Sequence, residues 1–175
     1  LFETLCNLNE NINTLIAMSQ ASFNITDAKG VYFTALKLLP YYAKDGKKIN
    51  LKKVTSNDSK LIYKWQQNPN TRQYANDPKI PLWGDHVKWV DKKINSPLSF
   101  MYLIVHGNYP SGVLRLDSIN LGEGEGYLIS IFVDPNKYNL GIGSKVLELT
   151  KCFFSESKLY AKILEENINS VSLFI

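Results

Sequence analysis

Residues 127–147 constrain the fold more than any other part of the chain. Residues 127–133 form a short run that is apolar or β-branched at all but one position, which predicts a buried strand. An apolar stripe with helical spacing follows from Ile142. Gly141 and Gly143 lie between the two, where glycine lets the backbone approach a ligand and the first N–H groups of the helix suit a pyrophosphate. The stretch therefore predicts a strand, a phosphate-binding turn and a helix, although two glycines could also serve packing alone.

Two other phosphate-binding turns are excluded on residue grounds. A P-loop requires Gly-Lys-Ser/Thr, which does not occur at this turn. A dinucleotide fingerprint requires a third glycine at the position that Val146 occupies.

The turn resembles the acyl-coenzyme A loop of the GCN5-related N-acetyltransferases (GNAT family). That loop reads Val-x-Pro-x-x-Arg/Gln-x-x-Gly-x-Gly/Ala after the family's fourth strand, and the chain matches it from Val133 to Gly143. Tyr138 stands where the family has Arg or Gln, which is expected to weaken the hold on the pyrophosphate without changing the fold.

A second family signature follows at the expected distance. Asn-x-x-Ala/Ser-x-x-x-Tyr opens the helix after the fifth strand, which would be residues 159–164 here. Asn167 and Ser170 match this signature, whereas Phe174 replaces the tyrosine that often acts as general acid.

The resemblance implies an α/β fold. We expect a mixed, mostly antiparallel central sheet with splayed fourth and fifth strands and flanking helices. The domain would be truncated at its C-terminus, before the last two strands of the family, and preceded by a helical hairpin.

The resemblance also implies acetyl-coenzyme A (acetyl-CoA) as co-substrate and no metal. Its pantetheine arm would add to the backbone of the fourth strand, and its pyrophosphate would bind the turn. The predicted cofactor-binding residues are Ile131, Phe132, Val133, Tyr138, Asn139, Gly141, Ile142, Gly143, Ser144 and Asn167.

Acetyl transfer needs a base for the amine and a donor for the leaving thiolate. Glu125, just before the cleft strand, is the first candidate for the base, with Glu165 and Glu166 behind it. Since Phe174 has no proton to give, Ser130, a water or a residue beyond Ile175 would serve as the acid.

The acceptor side is predicted from residues 65–86. The order Trp-x-x-Asn-x-x-x-Arg, then a histidine on the next helix, resembles acetyltransferases that act on UDP-4-amino sugars. This assigns nucleotide-sugar binding to Arg72 and His86, and paired arginine donors suit a diphosphate. Taken alone, His86 would be a helix-surface residue and Arg72 a solvated arginine.

Residues 1–43 show two short helical patterns that cannot bury a core alone. Residues 18–30 resemble the closing helices of the nucleotide-sugar hydrolase of the pseudaminic acid pathway. We therefore expect a hydrolase remnant over 1–43, a linker over 44–48 and the acetyltransferase domain over 49–175.

Composition is that of a soluble globular protein, with 45% hydrophobic and 21% charged residues. The net charge of +4 is mild, and we read the lysines of residues 44–60 as a solvated surface with a polyanion site as the alternative.

Cys6 and Cys152 show no metal-ligand or disulfide spacing, which favours a reducing cytoplasm. We expect no nucleic-acid partner and no membrane span, and a homodimer is left open.

The leading hypothesis is an N-acetyltransferase that uses acetyl-CoA to modify the amino group of a UDP-4-amino-deoxy sugar. One alternative acceptor is a protein N-terminus, as in the relatives that modify ribosomal proteins. Another alternative is a non-catalytic module of the same fold, which Tyr138 and Phe174 would favour.

Overall fold

The computed structural model describes residues 41–75, 77–120 and 125–174, with the side chain of Glu125 left aside. The chain divides into two units, Leu1–Leu39 and Pro40–Ile175. The helices predicted for the hydrolase-like tail lie outside the described residues, so that assignment stays a prediction.

A six-stranded sheet forms the second unit, in the spatial order β1 to β6. All neighbouring strands are antiparallel except β5 and β6, which are parallel. The predicted mixed, mostly antiparallel sheet is therefore confirmed. The strands are β1 (Tyr41–Tyr42), β2 (Lys48–Lys53), β3 (Ser99–His106), β4 (Tyr109–Asn120), β5 (Glu125–Val133) and β6 (Lys158–Tyr160).

Helices lie on both faces of this sheet. They are α1 (Ser59–Gln66), α2 (Pro69–Arg72), α3 (Trp83–Asn95), α4 (Ile142–Phe153) and α5 (Ile168–Phe174). Short 3-10 turns at Ser56–Asp58 and Pro135–Lys137 precede α1 and α4. The α4 stripe predicted from Ile142 is buried against the sheet as expected.

Two separate cores result, because residues along each strand alternate between the faces of the sheet. One core joins the sheet to α4, with Ile142 and Val146 fully buried. The other joins the opposite face to α1 and α3, with Ile62 and Val90 fully buried.

Strands β5 and β6 part after a short contact. Their register covers only Gly126 to Leu128 of β5, paired with Lys158 to Tyr160 of β6. Within the described part of the chain, residues 129–133 of β5 therefore have a strand neighbour on the β4 side and none on the β6 side. This is the predicted splay, and β5 and β6 correspond to the family's fourth and fifth strands. β6 ends at Tyr160, earlier than the predicted 159–164.

Residues 43–47 are the tight turn of the β1–β2 hairpin, so the linker predicted over 44–48 is wrong. Ala43 N donates to Lys47 O at 2.9 Å, and Ala43 is buried. His106 Nε2 donates to Asp45 Oδ1 at 2.8 Å, and this bond lowers the pKa of Asp45 to about 2. The sheet therefore begins at Tyr41, because the turn is clamped to the neighbouring strand.

His86 on α3 is 2% exposed, which rules out the helix-surface reading. Its Nε2 donates to the Ser59 carbonyl at 3.0 Å and so joins α3 to the start of α1. Burial lowers the pKa of His86, while the bond to Ser59 opposes that shift. The imidazole is therefore neutral at physiological pH.

A substitution at Gly126 tests the close approach of β6 to β5. A Cβ there would lie 2.7 Å from Lys158 O and 2.7 Å from a Tyr160 ring carbon, so Gly126→Ala must push β6 away. We expect a loss of about 1–3 kcal/mol in the free energy of unfolding, measured by urea denaturation. Gly84→Ala is the control, since a Cβ at that helical position meets nothing within 4 Å and should leave stability unchanged or slightly raised. Equal stability of the two variants would contradict the close approach.

The lowered pKa of His86 predicts that the stability of the protein depends on pH. The unfolded state, with a histidine pKa of about 6.5, binds the proton before the folded state does, so stability falls as the pH drops below about 6.5. His86→Gln retains a donor for Ser59 and should reduce this loss between pH 7.5 and 5, measured by thermal unfolding at each pH. At pH 8 both proteins carry a neutral side chain and serve as the reference. An unchanged slope in the variant would show that His86 titrates normally.

Candidate active site

A cleft of about 1050 Å³ opens where β5 and β6 part. It runs from the turn before α4 to the segment between α2 and α3. Every site residue predicted from the sequence lines it except Glu125, whose side chain lies outside the described part of the chain. These residues are Arg72, His86, Ser130, Ile131, Phe132, Val133, Tyr138, Asn139, Gly141, Ile142, Gly143, Ser144 and Asn167.

The turn before α4 presents backbone donors to the cleft. The first bond within the helix runs from Lys145 N to Gly141 O at 3.1 Å, so the N–H groups of residues 142–144 precede it and have no helical partner. Gly141 caps the helix with φ 71° and ψ 12°, a left-handed conformation that favours glycine. These donors and the positive end of the helix dipole suit a pyrophosphate.

The segment that connects β5 to this turn is held by local hydrogen bonds. Asp134 Oδ1 accepts from Asn136 N at 3.0 Å, and Asp134 N donates to Ser111 O at 2.8 Å. Asn139 takes a positive φ of 65°. The turn is thus positioned by its own side chains before any ligand binds.

Tyr138 occupies the Arg or Gln position of the family and is 45% exposed at the cleft wall. Burial, and next the negative charge of Asp134, raise the pKa of its phenol. The phenol therefore keeps its proton at neutral pH and supplies a neutral hydrogen-bond donor in place of a cation.

Gly143 serves close packing. A Cβ there would lie 3.3 Å from Leu173 Cδ2, so glycine lets α5 approach α4. Asn167 caps α5 by accepting from Ser170 N at 3.2 Å, which leaves its amide nitrogen available to the cleft. Close packing therefore explains the glycine at position 143. At position 141 glycine is favoured because the backbone is left-handed.

The open edge of β5 forms the floor. Ile131 and Val133 point toward α4, while Phe132 packs edge-on against Trp65 on the opposite face, with ring centroids 5.9 Å apart. Ser130 shares the Phe132 face and is exposed in the cleft. The backbone of residues 129–133 is free to pair with an extended ligand.

Arg115 and Trp89 form a second wall. The Arg115 guanidinium lies over the Trp89 ring, 5.4 Å from its centroid, and Arg115 pairs across the sheet with Ser130. Arg115 Nε lies 2.9 Å from Asp117 Oδ2, and Lys93 Nζ donates to Asp117 Oδ1 at 2.6 Å. Burial would raise the pKa of Asp117, but the Lys93 bond and the Arg115 charge outweigh it and hold the pKa below its ordinary value. The ionised carboxylate thus fixes the guanidinium at the cleft.

Arg72 is bonded within the chain. Its Nη1 donates to Gln66 Oε1 at 2.7 Å, and its Nη2 donates to the carbonyls of Asp77 and Lys79. These bonds hold the segment between α2 and α3 against α1. The guanidinium lines the cleft but already has hydrogen-bond partners within the chain. Arg72 is therefore not the solvated arginine that its sequence context alone would indicate.

Aromatic rings surround His86. Tyr63, Trp83 and Trp89 lie with their centroids 5.1, 6.0 and 5.9 Å from the imidazole. Because Nε2 donates to Ser59, only the other ring nitrogen is left for a ligand.

Carboxylates in the cleft differ from those predicted. Glu165 and Glu166 are exposed and do not line it, whereas Asp77 and Asp85 do. Phe174 packs into the α4 core and has no polar atom to offer.

The sequence reasoning also missed Trp89 and Arg115 as cleft residues. Trp89 lies three residues after His86, and this i, i+3 spacing on one helix indicates a shared wall. Arg115 carried no local signal, because its position depends on the register between β4 and β5.

Within the described ranges, no group of three or more His, Cys, Asp or Glu side chains could hold a metal. No helix in that same part of the chain is long and apolar enough to cross a membrane.

Comparison with known proteins identifies the fold and the family. The model of the acetyltransferase (GNAT) family matches residues 62–174. An uncharacterised protein of Methanocaldococcus jannaschii is 29% identical over 134 residues, which cover 73% of this chain and 27% of that protein. The chain thus spans about a quarter of the length of this curated relative.

Two solved structures share the fold at low sequence identity. RimL, the ribosomal L7/L12 α-N-protein acetyltransferase in complex with coenzyme A, superposes with a TM-score of 0.63 at 18% identity, over 71% of this chain and 76% of RimL. The microcin C7 self-immunity acetyltransferase MccE, in complex with acetyl-CoA and AMP, gives 0.62 at 16% identity, over 71% of this chain and 74% of MccE.

The family match covers the strands that part, the turn before α4 and the helices that line the cleft. The family match confirms the predicted fold and the predicted co-substrate, acetyl-CoA. The chain belongs to the acetyltransferase (GNAT) family, whose members are acetyl-CoA-dependent N-acetyltransferases.

Proposed function

We propose that this protein transfers the acetyl group of acetyl-CoA to the amino group of a UDP-4-amino-deoxy sugar of the pseudaminic acid type. The observation that carries the proposal is one cleft with two chemically different ends. Backbone donors of the α4 turn lie at one end, and Trp89 with Arg115 lies at the other. The first end suits a pyrophosphate, and the second suits a ring attached to an anion.

The acceptor wall supports a nucleotide sugar through its chemistry. A flat ring can stack on Trp89, and the guanidinium of Arg115 offers donors to a diphosphate. Arg72 and His86 lie on the same wall, where we propose that Arg72 shapes the binding segment and His86 supplies one acceptor through its Nδ1. MccE, which shares the fold, was solved with a nucleotide, AMP, beside acetyl-CoA.

The pathway rests on residues 18–30 and their resemblance to the nucleotide-sugar hydrolase of pseudaminic acid synthesis. A hydrolase and an acetyltransferase on one chain would keep a shared intermediate close. The M. jannaschii relative, of which this chain covers 27%, is long enough for such a second domain. We expect the protein to act in the cytoplasm, as the cysteine spacing indicates.

Transfer requires the amine nitrogen to attack the thioester carbon while the carbon–sulfur bond breaks. The open backbone of residues 129–133 would align the pantetheine arm and place an N–H group against the thioester oxygen, so positioning and charge stabilisation supply much of the rate. The amine must lose a proton and the thiolate must gain one. We propose Glu125 as base, acting through water, and the exposed Ser130 hydroxyl as donor.

A protein N-terminus is the second candidate acceptor. RimL, which modifies a ribosomal protein, shares the fold with a TM-score of 0.63. The exposed Tyr74 and Ile80 beside the cleft would contact a peptide side chain.

The acceptor is tested by incubating the full-length protein with acetyl-CoA and the UDP-4-amino sugar. We expect one acetyl group on the sugar by mass spectrometry and release of one thiol per product. The matched control is the same nucleotide sugar with a 4-hydroxyl group, which should not react. Acetylation of an N-terminal peptide without sugar turnover would refute the sugar and favour the second candidate.

Gly141→Val tests the phosphate-binding turn. Valine at φ 71° is strained, so the turn must rearrange and displace the donors of residues 142–144. We expect coenzyme A affinity to fall at least about a hundredfold by calorimetry, a loss of about 3 kcal/mol. Gly107→Val is the control, because Gly107 has a similar φ of 62° in the β3–β4 turn, outside the cleft. Retained affinity in Gly141→Val would mean that the pyrophosphate binds elsewhere.

A further inference from the structure

The β1–β2 turn reaches the phosphate-binding turn. Lys44 N donates to Leu140 O at 2.9 Å, which ties residue 44 to the segment just before Gly141. The Lys44 side chain lies across Gly141, with Cγ 3.4 Å and Cε 3.6 Å from the position a Cβ would take. Lys44 also lines the cleft. A residue almost a hundred positions away in sequence therefore borders the helix N-terminus.

The ammonium group of Lys44 is available for a ligand. Among the residues that the structure describes, no carboxylate lies within 4.0 Å of its Nζ. The neighbouring Asp45 is ionised, but its Oδ1 accepts from His106 and its Oδ2 lies 3.3 Å from Lys47 Nζ. The carboxylate next to Lys44 in sequence is thus already paired with other groups.

Other lysines in the cleft are less suited to the turn. Lys137 Nζ donates to Ser111 Oγ at 2.7 Å and lies over the Tyr109 ring. Lys79 lies on the acceptor wall, and Lys162 lies on the segment after β6. Lys44 is the lysine whose stem contacts Gly141.

Tyr138 leaves the turn without the cation or amide that the Arg or Gln position would supply. Its neutral phenol donates a hydrogen bond but carries no positive charge to offset a pyrophosphate. We propose that Lys44 supplies this charge by contacting the pyrophosphate of acetyl-CoA, so that the β1–β2 turn is part of the cofactor site.

The clamp on the turn makes this contact favourable. The backbone of residues 43–47 is fixed by its own hydrogen bonds and by the Asp45–His106 bond. Less conformational entropy is lost when a cation on a rigid segment meets its ligand. A flexible linker would not hold Lys44 at the turn.

The test is calorimetry with coenzyme A, 3′-dephospho-coenzyme A and pantetheine. Lys44→Met keeps an apolar stem over Gly141 and removes the charge, and we expect coenzyme A affinity to fall about 5–10-fold, with a weaker dependence on salt. The same loss is expected with dephospho-coenzyme A, and no loss with pantetheine, which has no phosphate. Lys48→Met is the matched control, since Lys48 directly follows the same turn, is exposed and does not line the cleft.

Each of the following outcomes would overturn the assignment of Lys44 to the pyrophosphate. Unchanged affinity in Lys44→Met would show that the charge makes no contact, and tighter binding would show that the side chain obstructs the site. A loss that disappears with dephospho-coenzyme A would move the contact from the pyrophosphate to the 3′-phosphate. The inference rests on cofactor binding at the turn, and a wild-type protein that binds no coenzyme A would instead count against the proposed function.

Discussion

The parting of β5 and β6 is the constraint on which the rest of the site depends. Parallel pairing stops after Leu128, so the following five residues of β5 keep an unpaired backbone edge. An unpaired edge inside a fold is costly unless something bonds to it, and an extended ligand with amide groups can do so. The α4 turn lies at the far end of this edge, so strand and turn form one continuous surface for a long cofactor.

Packing holds the parted strands in place. Gly126 lets β6 approach at the start of β5, and the rings of Phe100, Tyr127 and Phe154 pack edge to face beneath that contact. Farther along, α5 packs on Gly143 through Leu173, so the cleft lies between packed elements.

The end of the cleft opposite the α4 turn depends on charged side chains in place of backbone groups. Asp117 gathers Lys93, Ser99 and Arg115, and the resulting network orients the guanidinium over Trp89. This network is partly buried, so the desolvation of its charges offsets much of their attraction.

The sequence alone determined the strand, the turn and α4, because the apolar spacing and the two glycines are local features that need no distant partner. It also indicated the family to which the turn belongs, since the motif residues from Val133 to Gly143 are contiguous in sequence. Only the tertiary structure decided which distant side chains join them. Lys44 reaches Gly141 through the β1–β2 hairpin, Arg115 reaches Trp89 through the β4–β5 register, and Arg72 is held by the carbonyls of a loop. These contacts depend on packing between separate elements, which the spacing of residues along the chain does not encode.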